Sequence, residues 1–184
     1  MFTSKRIPIA GIVVIAAAAL AACAVQPPAG KPPALGTAVS AEEVARWDIS
    51  IPPSGEGLPP GGGTAKQGES VYTAQCQACH GPKGVGKPAD VLVGGVGSLA
   101  TAKPVRTVGS YWPYATTLFD YVRRSMPTTN PLSLSDDEVY AVSAYVLFLN
   151  GIIGEDAQMN AQSLPQVKMP NRDGFISDWP VRPR

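Results

Sequence analysis

The sequence predicts an all-α domain set between irregular flanking segments, and three observations carry that reading. Capping boxes, a Ser or Thr followed three positions on by Glu or Gln, stand at Ser40–Glu43, Thr64–Gln67 and Ser135–Glu138. Behind the second and third, apolar residues return every three or four positions, which is the helical period. No stretch reads as a credible strand, and there is no internal repeat. Gly and Pro number 19 each in 184 residues, so long loops are expected between the helices. The net charge of +1 gives no basis for binding nucleic acid.

In chain order, the first segment is a processing signal. Lys5 and Arg6 precede an apolar run, Ile7 to Leu20, that is too short to span a bilayer comfortably. The run ends Leu20-Ala21-Ala22-Cys23, which resembles the bacterial lipobox. That resemblance implies cleavage before Cys23, lipidation of its thiol and, with several acyl chains, stable anchoring to a membrane. An ordinary signal peptide and a retained transmembrane helix are the alternatives. Loss of residues 1–22 removes Lys5 and Arg6 and no acidic residue, turning the net charge from +1 to −1.

Residues 23–63 hold four Pro-Pro pairs and Gly61-Gly62-Gly63, and read as a tether of roughly 35 Å if coiled. The box at Ser40 interrupts it with a short helix carrying Val44 and Trp47 on one face. A compact domain is expected over 64–154, followed by a Pro-rich extension over 155–184.

The domain opens with a helix in which Val71, Tyr72, Cys76 and Cys79 recur at helical spacing. It runs into Cys76-Gln77-Ala78-Cys79-His80, the C-x-x-C-H attachment signature of a c-type haem. Two thiols one turn apart can each add to a vinyl group on one porphyrin edge, and the imidazole next to them then faces the iron. A thioredoxin-like redox pair would need a βαβ context, and a structural zinc site would need four ligands. His80 is the only histidine, so the sixth iron ligand is a methionine, a weaker donor or nothing. Methionine opposite histidine raises the potential and suits electron transfer.

Residues 81–110 are Gly-rich and aperiodic. Gly81 to Lys87 matches most of a phosphate-binding loop, but Pro88 stands where Ser or Thr must bind magnesium and no strand leads in. A loop of small residues instead lets backbone pack against a flat macrocycle. Pro113 is placed to open the next helix, with Leu118, Phe119 and Val122 on its buried face and Arg123 and Arg124 at its end. Ser125-Met126-Pro127 follows. The last helix begins at the Ser135 box and carries a stripe of Val139, Val142, Tyr145, Val146 and Leu149, stopped by Asn150-Gly151.

This order of elements over residues 64–153 resembles class I cytochrome c, in its monohaem form, here with an N-terminal tether and a C-terminal extension. The resemblance implies Cys76 and Cys79 as thioether attachments for one covalent haem c, His80 as proximal ligand and Met126 as distal ligand. Met159 and Met169 are the rivals. It also implies a backbone carbonyl holding the proximal imidazole, with Pro88 the nearest candidate. A crossing of the first and last helices would set Gly68 and Tyr72 against Tyr145 and Leu149. Val108 to Met126, Glu138 to Val142 and Lys168 to Phe175 resemble the cytochrome subunit of molybdenum sulfite or sulfane dehydrogenases of bacterial sulfur oxidation. The function implied is a periplasm-facing, lipid-anchored electron carrier and not an enzyme. Its partners would be a molybdenum dehydrogenase subunit as donor and a cytochrome or oxidase as acceptor. Service to an unrelated periplasmic dehydrogenase or oxidase, and a haem peroxidase or gas-binding site with an open sixth position, are the alternatives.

Overall fold

A computed structural model describes residues 35–176 of the chain. The leader expected over 1–22 and the lipidation residue Cys23 lie outside the described residues. The chain falls into two units, residues 1–44 and 45–184. In the described part of the first, the Ser40 hydroxyl accepts from the Glu43 N–H at 3.1 Å and starts helix α1, Ala41–Trp47. No residue of α1 is buried, and Trp47 is exposed.

The second unit is built on three longer helices. Helix α2 is Ala65–Gln75 and α3 is a single turn, Gln77–His80. Helix α4 is Ala115–Ser125 and α5 is Asp136–Leu149. Both capping boxes expected in this unit form: Thr64 accepts from the Gln67 N–H, and Ser135 from the Glu138 N–H, with the return bonds to each cap N–H at 2.8 Å. Each satisfies backbone donors that a helix start otherwise leaves orphaned. Pro113 does not open α4; it precedes the N-cap, Tyr114. Among the described residues no helix is long and apolar enough to cross a membrane.

Helices α2 and α5 pack directly on each other. A Cβ on Gly68 would fall onto the backbone of Ala141 and within 2.9 Å of the Val142 nitrogen, so only glycine permits the approach. Tyr72 packs on Tyr145 with ring centroids 5.3 Å apart. Gly68 thus meets the helix backbone one to two turns before Tyr145 and Leu149, where sequence alone set it. The last helix is also buried more completely than one stripe implies: every residue from Val139 to Leu147 is inside.

Two expectations are corrected by what surrounds this core. The first is the tether. Residues 51–63 are pinned to the helices and act as a strap. Ile51 is buried, its N–H donates to Asp120 at 2.8 Å, and the Tyr140 hydroxyl donates to the Pro59 carbonyl at 2.8 Å. Proline runs cannot make a core of their own, but their carbonyls still serve as acceptors for one. The second is the lack of strands. Gly62–Gly63 (β1) pairs antiparallel with Met159–Asn160 (β2), Gly63 facing Met159. Two residues per strand leave no alternation to read. The chain beyond α5 folds back onto the core, burying Met159, Leu164, Val167 and Met169.

Candidate functional site

Cys76 lies at a break between α2 and α3. Its φ of −119° ends α2, its N–H reaches the Tyr72 carbonyl at 2.9 Å, and its own carbonyl accepts from Cys79 and His80 at 3.1 and 2.9 Å. This one turn carries both thiols and the imidazole. Both cysteines are free, Cys76 half-buried and Cys79 exposed. Burial, with a smaller contribution from Cys79, pushes the Cys76 thiol up to about 11.

His80 is half-buried, and its Nδ1 lies 2.8 Å from the Asp90 carbonyl oxygen. A carbonyl can only accept, so Nδ1 carries the proton and Nε2 keeps its lone pair. That is the tautomer an axial imidazole needs, and it is the test these residues pass for holding an iron porphyrin. The carbonyl belongs to Asp90, two residues beyond the Pro88 expected from sequence. The loop doubles back before delivering it: Gly86 N–H bonds the His80 carbonyl at 2.7 Å and Ala89 N–H the Cys79 carbonyl at 2.9 Å. Gly81 makes the first bend at φ +73°, where a Cβ would lie 2.5 Å from the Gly86 oxygen. The Tyr72 hydroxyl holds the Gly81 carbonyl at 2.8 Å, and burial raises that phenol to about 12, so it stays a donor.

The rest of the Gly-rich loop is organised by polar side chains that its sequence did not single out. The Asn150 amide accepts from the Gly94 N–H at 3.1 Å and donates to the Leu92 carbonyl at 3.1 Å. Thr107 donates to the Gly94 carbonyl at 2.6 Å, and Ser110 to the Val105 carbonyl at 2.6 Å. Asn150, read from sequence as a helix stop, therefore also clamps the loop. Its place at the end of a helix was the only available signal.

Met126 caps α4, with its N–H on the Val122 carbonyl at 3.0 Å, and is half-buried. Its rivals Met159 and Met169 are 5% and 3% exposed and belong to the hydrophobic core. Of the three methionines among the described residues, only Met126 is not fully enclosed. Trp112 stacks edge-on against Tyr121 at 5.6 Å, and the Arg172 guanidinium lies 4.5 Å from the centre of the Tyr114 ring.

Comparison with known proteins adds three findings. The family model described as cytochrome c oxidase, cbb3-type, subunit III matches residues 63–146. A chain in the crystal structure of the sulfane dehydrogenase SoxCD from Paracoccus pantotrophus is 41% identical and superposes with a TM-score of 0.74. The match covers 79% of this chain and 72% of that one. None of the curated proteins compared matches the sequence.

Proposed function

Because the chain belongs to the cytochrome c family, with its class I fold and covalently bound haem c, we propose that it is a lipid-anchored, periplasm-facing carrier of single electrons from a molybdenum sulfane or sulfite dehydrogenase. The observation that carries the reading is the His80–Asp90 contact, which fixes the imidazole with Nε2 free. The partner is suggested by the 41% identity to a SoxCD chain, and the anchor by the Leu20-Ala21-Ala22-Cys23 motif.

When bound, the haem supplies an iron that changes its oxidation state by one electron. In this reading Cys76 and Cys79 would hold the macrocycle covalently through thioethers, so its attachment would not depend on His80 or Met126. His80 would offer Nε2 to the iron, and the Asp90 carbonyl, 2.8 Å from Nδ1, restrains ring rotation and would raise the basicity of that ligand. Met126 would offer its thioether, a soft donor that favours the reduced state and so would raise the potential. Docking of donor and acceptor is expected at the small end of interface sizes, since each partner must leave after one electron.

Full-length protein matured in a host that attaches haem c tests this. We expect a pyridine haemochrome spectrum with two thioethers, a long-wavelength sulfur-to-iron band in the ferric form, and reduction by a molybdenum sulfane or sulfite dehydrogenase given its substrate. Met126→Ala should lose the band while keeping the haem. Rapid carbon monoxide binding by the reduced wild type would favour an open sixth position instead. Lipid-modified Cys23 at the mature N-terminus, read by mass spectrometry, checks the anchor separately.

A further inference from the structure

Helix α4 delivers Met126, and the contacts that hold the end of α4 come from distant parts of the chain. Asp120, buried one and a half turns before Met126, accepts the Ile51 N–H at 2.8 Å and the Arg124 Nε–H at 2.8 Å. On the preceding turn, the Thr116 hydroxyl donates to the Pro53 carbonyl at 3.1 Å. Arg123 reaches the other way: its Nε–H donates to Asp136 at 2.9 Å and its Nη1 to the Ile49 carbonyl at 3.5 Å. Asp136 is the first residue of α5, so this pair closes the neck of the loop that starts at Met126 and ends at the Ser135 cap.

A solvent-open cleft of about 210 Å³ lies beside that neck, lined by Ile49, Arg123, Leu132, Leu134, Ser135 and Asp136, so the neck is bounded on that side by water and not by packed side chains. Within the same loop Leu132 is exposed and held at φ +62°, a left-handed conformation that a bulky residue adopts only under constraint. A loop with solvent at its base and strain in its span depends on fixed ends to keep its shape.

We propose that the strap over residues 51–63, together with Ile49 just before it, is a positioning device for Met126, acting through Asp120 and Arg123. This rests on the reading of Met126 as an iron ligand and adds that the ligand's hold on the iron depends on the segment leading in from the N-terminus. Burial alone would raise the Asp120 carboxyl. The Arg124 guanidinium and the Ile51 N–H more than offset it and hold the group below the usual carboxylate range, so the clamp is charged at neutral pH. Arg123 and Asp136 are more exposed, and their pair alone is worth little; its part is to set the width of the neck.

The test is the rate at which cyanide displaces the thioether from the ferric full-length protein, followed by loss of the sulfur-to-iron band. Urea unfolding is measured in parallel. Asp120→Ala removes a buried, charge-assisted hydrogen-bond centre and should speed displacement about 10-fold. Asp120→Asn, which still accepts the Ile51 N–H, should fall between it and wild type. If Asp120→Ala does not mature, Arg123→Gln serves, with a smaller increase in the same direction. Ser163→Ala, which removes a hydroxyl bound to the Gln158 carbonyl at 2.7 Å in the C-terminal segment, is the control for general loss of stability. It should lower the unfolding midpoint and leave the cyanide rate unchanged. Cyanide rates that follow the unfolding midpoint alike in all variants, or that do not move, overturn the positioning role. A wild-type band that Met126→Ala retains instead removes the ligand assignment beneath it.

Discussion

His80 and Met126 sit on segments anchored in opposite ways. The contacts that shape the turn around His80 come from residues 72–92: the Tyr72 hydroxyl on Gly81, the Gly86 and Ala89 N–H groups on the C-x-x-C-H turn, and the Asp90 carbonyl on the imidazole. Met126 itself bonds locally to the Val122 carbonyl, but the helix that leads to it is held by residues 49–53 and by Asp136. Contacts close in sequence cost little loop entropy to form, whereas those at a separation of 69 residues depend on the rest of the fold being in place. One side of the site is therefore built locally, and the other is assembled from the finished domain.

The largest break in that contrast comes from withholding haem. Cys76→Ala with Cys79→Ala leaves the local turn its hydrogen bonds but removes the two thiols expected to attach the haem, which the proposed site sets beside the Gly-rich loop and the loop after Met126. Val85, Val96, Val105 and Leu132 are already exposed apolar residues on those loops. We expect the haem-free chain to keep little ordered tertiary structure, with the segment after Met126 the first to lose it. A well-dispersed amide NMR spectrum of the apo-protein would show that the polypeptide alone makes the core.

The next break is at the helix crossing on which both sides stand. Gly68→Ala sets a methyl group against the Ala141 backbone, which no rotamer change can relieve. The helix gains about 1 kcal/mol of propensity. The forced separation of α2 from α5 should outweigh this and cost about 2 kcal/mol net, measured by urea unfolding of the holo-protein. The local turn should tolerate the change, so the haem stays attached while the Met126 bond weakens. An unchanged unfolding midpoint would mean that the two helices are further apart than Gly68 requires.

Gly68 also shows what could be read from the chain and what could not. A glycine inside a helical pattern is costly without a close approach, so the crossing was legible, although the partner residue shifted by a turn because side-chain spacing does not fix which part of α5 comes nearest. The C-x-x-C-H turn and both domain capping boxes were legible because each is a short pattern with a local physical reason, and Ser125-Met126-Pro127 was legible as the place where α4 ends. Asp90 was not, since any residue can offer a carbonyl and only the path of the loop selects one. Nor was the strap: Pro52-Pro53 and Pro59-Pro60 look like linker by composition, and what pins them is Asp120, Thr116 and Tyr140 on helices far along the sequence. Asn150 was visible as a helix stop, but its hold on Leu92 and Gly94 depends on a loop with no period of its own.

The smallest expected effect separates the two sides by pH. Asp120 is held below the ordinary carboxylate range by Arg124 and Ile51 against the opposing effect of burial, and Glu138 by the Ser135 N–H and hydroxyl. A carboxyl whose folded pKa is depressed binds its proton more readily when unfolded. Its stabilisation is therefore complete above the unfolded value, about 4, and is lost as pH falls through the lower folded value. Both groups support the distal half: Asp120 grips the strap, and Glu138 caps the helix that closes the Met126 loop. The sulfur-to-iron band should therefore weaken at acid pH before the His80 side is disturbed, with Asp120→Asn moving the onset to higher pH. Glu138 is exposed, and solvent screens most of its share, so Glu138→Gln should shift the onset less than Asp120→Asn does. An acid transition in which both axial bonds fail together, unchanged in either variant, would mean that the clamp and the local turn share one stability and are not held separately.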